Sequence, residues 1–201
     1  DAPKRYPFMN GAAAVAMLVG ADAPLALEGE RVSHIVNEWD FYKPIGWRVM
    51  EPIVDGPGSM EVYFGCLAAC QHELQVREGR PFVDAHDFLI FHLGSGPKFV
   101  VHAHGRAVAA AYGEGVLSDS EVDRRFKCLV EPSLQLAAHI GPMHSAAAHV
   151  NLASLLLHAT PALGSRIGVF SYGSGAASSM YHLRLRGQMR LDTSVVAWLE
   201  A

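Results

Sequence analysis

Cysteine is scarce in this chain: Cys66, Cys70 and Cys128 are the three thiols among 201 residues. Three thiols build no disulfide framework, and their scarcity points to a reducing, cytoplasmic setting. No apolar run reaches the roughly 20 residues that a membrane-spanning helix needs. The apolar stretch 11–20 is too short, and its flanks do not form a signal peptide. Basic charge is lacking as well. The net charge is −4, which gives no surface of the kind nucleic acids attract. Neither a membrane nor a nucleic acid is an expected partner. The eleven histidines form no H-E-x-x-H pattern and no Cys/His cluster with zinc spacing, so no metal site is expected. Cys66 and Cys70 are four apart, can share a helix face, and read as small buried hydrophobes. No P-loop, G-x-G-x-x-G fingerprint, internal repeat or linker is present.

Half of the residues are hydrophobic, enough for one domain with a buried core. The most informative stretch is Asp87-Phe88-Leu89-Ile90-Phe91-His92. Four consecutive apolar residues read as a strand buried on both faces. It stops at a histidine, and Gly94, Gly96 and Pro97 break it. An alanine-rich helix over 99–112 follows. Ligands of α/β sheets bind just beyond the carboxyl ends of strands. A histidine there can act as acid or base, and Lys98 can meet an anion. The same spacing also fits a strand-end histidine bonded to a backbone carbonyl.

The remaining elements follow from period and punctuation. Residues 11–20, apolar and bracketed by glycines, read as a short buried strand. Residues 25–28 and 32–36 read as two further strands, and 39–44 as an aromatic loop. Val62, Tyr63, Cys66, Leu67, Cys70 and Leu74 recur at three- and four-residue steps, one face of a helix over 60–78. Ser118 or Asp119 can cap a helix to about 129. A second helix begins near Pro132, Gly141-Pro142 interrupts, and a buried helix runs over 143–158. Residues 166–170 and 176–186 read as a strand pair around Ser171-Tyr172-Gly173-Ser174-Gly175. That turn fits either a plain hairpin or a backbone that aims N–H groups at an oxyanion. A short terminal helix or tail spans 193–199.

Taken together, Gly11-Ala-Ala-Ala-Val-Ala-Met-Leu-Val-Gly20, Asp40-Phe-Tyr-Lys-Pro44, Pro52-Ile-Val-Asp-Gly56, Asp87-Phe-Leu-Ile-Phe-His92 and Arg166-Ile-Gly-Val-Phe-Ser-Tyr-Gly-Ser-Gly175 resemble the hydroxymethylglutaryl-CoA synthase family of the thiolase superfamily. They fall in the family's order over about residues 8–186. The resemblance implies an α/β, thiolase-like fold with layers αβαβα. The chain would hold the carboxyl-terminal half and the last strand of the amino-terminal half, one partial domain over 1–201. It also implies the family's chemistry. A cysteine takes an acetyl group from a thioester, a glutamate deprotonates the acetyl methyl, and the enolate attacks the ketone of a β-ketoacyl thioester. On this resemblance His92 matches the active-site histidine that polarises the acceptor. Gly173 and Ser174 supply the oxyanion site, and Ser171, Tyr172 and Gly175 line the acyl pocket. Lys98 resembles a coenzyme-A-contacting lysine. No permanently bound cofactor is implied; coenzyme A or phosphopantetheine thioesters are substrates.

The departures are as informative. The family's glutamate and nucleophilic cysteine lie upstream of the Gly-Ala-rich strand with which the resemblance begins, and none of the three cysteines aligns with the nucleophile. Where the family reads Gly-Asn-x-Tyr-Thr, this chain reads Gly141-Pro142-Met143-His144-Ser145. Proline supplies no amide, the acceptor pocket is altered, and His144 enters as a substrate contact. The expected function is therefore the carboxyl-terminal subunit of a split synthase-like enzyme. A second chain would bring the cysteine and glutamate, in a higher-order dimer of heterodimers. The acceptor would be a specialised one, as in polyketide β-branching on an acyl carrier protein. The alternative is a non-catalytic subunit that stabilises a partner or binds an acyl thioester.

Overall fold

The computed structural model describes residues 11–46, 48, 52–189 and 194. Its centre is a four-stranded mixed sheet in the order β1-β6-β5-β4. The strands are β1 (Leu25–Ile35), β4 (Phe88–Phe91), β5 (Arg166–Gly173) and β6 (Ala177–Leu185). β4 and β5 are parallel, and β6 pairs antiparallel with both β5 and β1. A two-residue ladder, β2 (Phe41–Tyr42) with β3 (Ile53–Val54), stands apart from the sheet. The helices are α1 (Gly56–Glu78), α2 (Pro97–Tyr112), α3 (Asp119–Leu129), α4 (Gln135–Ile140) and α5 (Ala147–His158).

Local chemistry explains the helix boundaries. Asp55 caps α1 by accepting from the Gly58 N–H at 3.2 Å, and Gly79 ends it in the left-handed region at φ 72°. Of the α1 residues at three- and four-residue steps, Tyr63, Cys66, Leu67, Cys70 and Leu74 are buried as their period predicts, and Val62 is half-buried. Ser118 caps α3. The break at Gly141-Pro142 separates α4 from a 3-10 turn, His144–Ala146, that leads into α5.

The alternation of the strands sends side chains to two faces. Leu89, Phe91, Phe170, Tyr172 and Met180 share one core with α1 and α2. Ile90, Ile167 and Val169 face the other way, onto Ala148 and Leu155 of α5. The result is helix, sheet, helix. At the start of β5 lies a polar cluster. Arg166 holds Glu78 at 2.9 and 3.2 Å, and Glu78 lies 2.7 Å from His182 Nε2. His182 Nδ1 is 2.5 Å from His86 Nε2. Gly168 is required here, because a Cβ would sit 2.6 Å from the Phe82 ring and 2.8 Å from His86.

Three expectations need correction. Residues 11–20 are not a buried strand. They take no regular structure, and Leu18 and Val19 are 100% and 88% exposed. A buried strand needs ladder partners on its edges, and among the described residues none pairs with this stretch. Its first N–H alone is held, by the Pro142 carbonyl at 2.8 Å. The two strands expected over 25–36 are one, β1, with an irregularity between Glu28 and Val32 where Gly29 takes φ 67°. Within 39–44, Phe41 and Tyr42 form a short strand rather than pure loop. The tail at 193–199, Ser194 apart, lies outside the described residues.

His86 and His104 are buried, and burial pushes their pKa values down from 6.5 to about 3 and about 4. Desolvation leads in both, and for His104 the Arg125 charge adds to it. Both groups are neutral when folded and take up protons first when unfolded. The stability they contribute is therefore complete above about pH 6.5 and is lost as pH falls from there through 4. For His104 this amounts to about 3 kcal/mol. Denaturation midpoints measured from pH 7 to pH 4 should fall steadily, and His104→Phe should flatten the slope.

Candidate active site

The site grows from the β4–β5 pairing. Phe91 stands opposite Phe170, and the His92 N–H donates to the Phe170 carbonyl at 2.8 Å. That parallel register brings the carboxyl ends of both strands to one place. His92 therefore stands beside Ser171 and the turn that follows β5. Ser171, Tyr172, Gly173, Ser174, His144 and His92 line one cavity of about 530 Å³, together with serines of β1 and β6. A second cavity, about 470 Å³, is mostly apolar and bounded by Met60, Tyr63, Phe99, Pro142 and Ala147. The two share Phe41, His92, His144, Tyr172 and Ser174 as walls. Both fall within the size range of small-molecule sites.

Two sequence-predicted residues do not reach these cavities. Lys98 is exposed in the first turn of α2 and lines neither. Gly175 has the expected positive φ of 112°, but its N–H is committed to Asp40 Oδ1 at 2.9 Å. Gly173, where glycine would permit positive φ, does not use it. It stays open instead, since a Cβ there would approach only the Ala177 carbonyl, at 3.9 Å. His144 does adopt positive φ, 52°, unusual for a non-glycine residue and strained. Its ring faces Phe41 at 6.3 Å.

The imidazole of His92 is half-buried. Burial, then the charge of His144, pushes its pKa down to about 4. His92 is therefore a neutral imidazole near pH 7. It can donate one N–H to a carbonyl oxygen and accept a proton at its other nitrogen.

Asp40 and Tyr63 escape detection in the sequence as site residues. Asp40 is 3% exposed and accepts from Tyr172 Oη at 2.8 Å, Gly175 N–H at 2.9 Å and Ser59 Oγ at 3.0 Å. Burial alone would raise its pKa. The hydrogen bonds from Tyr172, Gly175 and Ser59 outweigh it and hold the carboxyl below its ordinary value. The carboxylate thus ties the glycine turn to α1. Tyr63 sits at the centre of a ring cluster with Phe64, Phe99, Phe170 and Tyr172. Asp40 lay within a quoted motif, and Tyr63 on the apolar face of a predicted helix. Asp40→Ala should destabilise by about 3 kcal/mol, since charge-assisted hydrogen bonds are lost and their donors stay buried. Asp40→Asn, which keeps an acceptor, should cost clearly less, as denaturant midpoints will read.

Residues 119–198 match the family model described as hydroxymethylglutaryl-coenzyme A synthase C terminal. A hydroxymethylglutaryl-CoA synthase-like protein, AKT4-1, of Alternaria alternata is 32% identical over 90% of this chain and 54% of its own length. The hydroxymethylglutaryl-CoA synthase erg13A of Aspergillus fumigatus is 32% identical over 94% of the chain and 49% of its own length. This chain thus spans about half the length of the curated relatives it matches. Among solved structures, MvaS in complex with 3-hydroxy-3-methylglutaryl coenzyme A superposes with a TM-score of 0.68 at 26% identity, over 81% of this chain and 43% of its own. An HMG-CoA synthase complexed with CoA gives 0.72 at 24% identity, over 88% and 44%; at that identity the likeness speaks for the fold. The chain is thus similar to the carboxyl-terminal half of hydroxymethylglutaryl-CoA synthases, and residues 119–198 match that family's C-terminal domain.

Proposed function

We propose that this chain is the carboxyl-terminal half of a split, hydroxymethylglutaryl-CoA-synthase-like condensing enzyme. A partner chain carries the nucleophilic cysteine and the general-base glutamate. The observation that supports this most is the shared cavity wall of His92 and the turn Ser171-Tyr172-Gly173-Ser174. An acceptor's ketone oxygen next to His92 would receive the N–H of a neutral imidazole as the enolate attacks. If the oxygen takes that N–H proton outright, the ring's other nitrogen takes one from cavity solvent, so the imidazole ends neutral and the proton count balances. The open turn at Gly173 and Ser174 offers backbone N–H groups to the thioester oxygen of the acylated partner. Lys98, exposed at the start of α2, meets a phosphate of the substrate's carrier outside the cavity.

The thioester is carried on coenzyme A or on the phosphopantetheine of an acyl carrier protein. Among the related solved structures are complexes with CoA and with a holo donor-ACP. Pro142, which lines the apolar cavity where the family has an asparagine, favours a specialised acceptor. It is also the feature that favours the alternative of a subunit that binds acyl thioesters without turning them over. The partner's docking surface has support of its own. Val15, Met17, Leu18 and Val19 are exposed, as are Leu27 and Ile35 on the edge strand β1. Exposed apolar residues along an open strand edge mark an interaction surface.

Two outcomes are expected. In the assembled enzyme, His92→Ala should lower condensation by on the order of 10²-fold or more while acyl transfer to the partner's cysteine suffers less. In the wild type, the His92-dependent component of condensation should persist as pH falls from 7 toward about 4, since the ring is an N–H donor whether neutral or protonated. Unchanged condensation in the variant would leave the binding-subunit reading. Expressed alone, the chain should aggregate or melt without cooperativity. Co-expression with the amino-terminal half should bury more than the standard interface of about 1,600 Å². A monodisperse monomer with a cooperative melt speaks against the split-enzyme assembly.

A further inference from the structure

The carboxyl end of β4 poses a problem of satisfaction. Among the described residues the strand is an edge of the sheet, pairing with β5 alone, yet Leu89, Ile90 and Phe91 are fully buried. Buried carbonyls must find donors. The last two are met by side chains from two helices. Asn151 Nδ2 of α5 donates to the Phe91 carbonyl at 3.2 Å, and Tyr63 Oη of α1 donates to the His92 carbonyl at 2.9 Å.

Tyr63 is 1% exposed, and its ring packs edge-on against Phe99 at 4.6 Å, Tyr172 at 5.1 Å and Phe170 at 5.3 Å. A phenylalanine would serve that packing equally well. A hydroxyl buried to this degree is costly unless bonded, and its hydrogen bond goes to the carbonyl of His92. Burial, and next the neighbouring Tyr172, raise its pKa well above the ordinary value, so the proton stays on the oxygen. His92 is thus held at both ends of its own backbone. Its N–H is on Phe170 and its C=O on Tyr63. Immediately afterwards the chain swings away at Gly94, φ 58°, where a Cβ would lie 2.5 Å from the Phe99 ring.

We infer that Tyr63 is a positioning residue for His92, its hydroxyl fixing the peptide on which the imidazole is mounted. This rests on the reading of His92 as the group acting on the acceptor. Without the hydroxyl, the peptide after His92 is free to rotate, and the ring turns toward the solvent of the cavity. Tyr63, Tyr172 and His144 are the titratable groups around it.

The test uses Tyr63→Phe in the assembled enzyme. Turnover in the condensation step should fall about tenfold, with KM for the acceptor close to wild type and the melting temperature lowered only as far as the loss of one buried hydrogen bond requires. Titration of the His92 imidazole, followed by NMR, should move from about 4 toward the ordinary histidine value of about 6.5. Combined with His92→Ala, Tyr63→Phe should cost nothing further, since the two act as one unit. A fluorinated tyrosine at 63, which keeps the ring and alters only hydroxyl acidity, should shift the same midpoint by a graded amount. Lost stability with turnover and His92 titration unchanged would show Tyr63 to be a packing residue and overturn the inference. Unchanged condensation in His92→Ala alone would instead overturn the reading of the site.

Discussion

One backbone hydrogen bond carries the organisation of the site. The His92 N–H reaches the Phe170 carbonyl at 2.8 Å and extends the parallel ladder one residue past the end of β4. Parallel strands end on the same side, so a histidine closing one and a glycine turn closing the other meet without a long-range search. Change that register by one residue and every side chain of β4 changes face. His92 would then leave the cavity. The core beneath makes such a slip costly. Leu89 and Phe91 are fully buried with α1 and α2, and Ile90 with α5, so each residue of the strand is committed to one face.

Two tyrosines, side by side at 5.1 Å, translate that register into a rigid frame. Tyr63 holds the carbonyl of the strand-end histidine. Tyr172 holds Asp40, and Asp40 holds the N–H of Gly175 and the hydroxyl of Ser59. The same ring cluster thus braces both the strand-end histidine and the turn opposite. Its hydroxyls are spent on internal carbonyl and carboxylate partners. The His92 imidazole, by contrast, makes ring contact with Tyr172 at 6.2 Å and is left to face the cavities.

How much of this was readable from the chain depends on how far each residue's partner lies along it. Strand β4, the face of α1, the Ser118 cap and the β5–β6 pair all rest on local period or punctuation, and these are legible. So was the meeting of His92 with the 171–174 turn, through motif order. Asp40 and Tyr63 were not, because their decisive partners lie 132 and 29 residues away. An aspartate in an aromatic loop or a tyrosine on an apolar helix face carries no mark of such a bond. The stretch 11–20 misled for a different reason. Apolar composition signals a need for burial and does not say what provides it. β1 was divided in two because Gly29, Glu30 and Arg31 interrupt its apolar alternation, where the strand accommodates a bulge instead.

The single tether of that apolar stretch has a mechanical meaning. Gly11 is bound through its N–H to the Pro142 carbonyl, and it fits so closely that a Cβ would lie 2.1 Å from the oxygen of Ile140. Pro142 is itself a wall of the apolar cavity, and His144 stands two residues on. The exposed arm 12–20 therefore leaves the fold at the pocket wall, and a displacement of Gly11 would be felt by the peptide that bounds the apolar cavity.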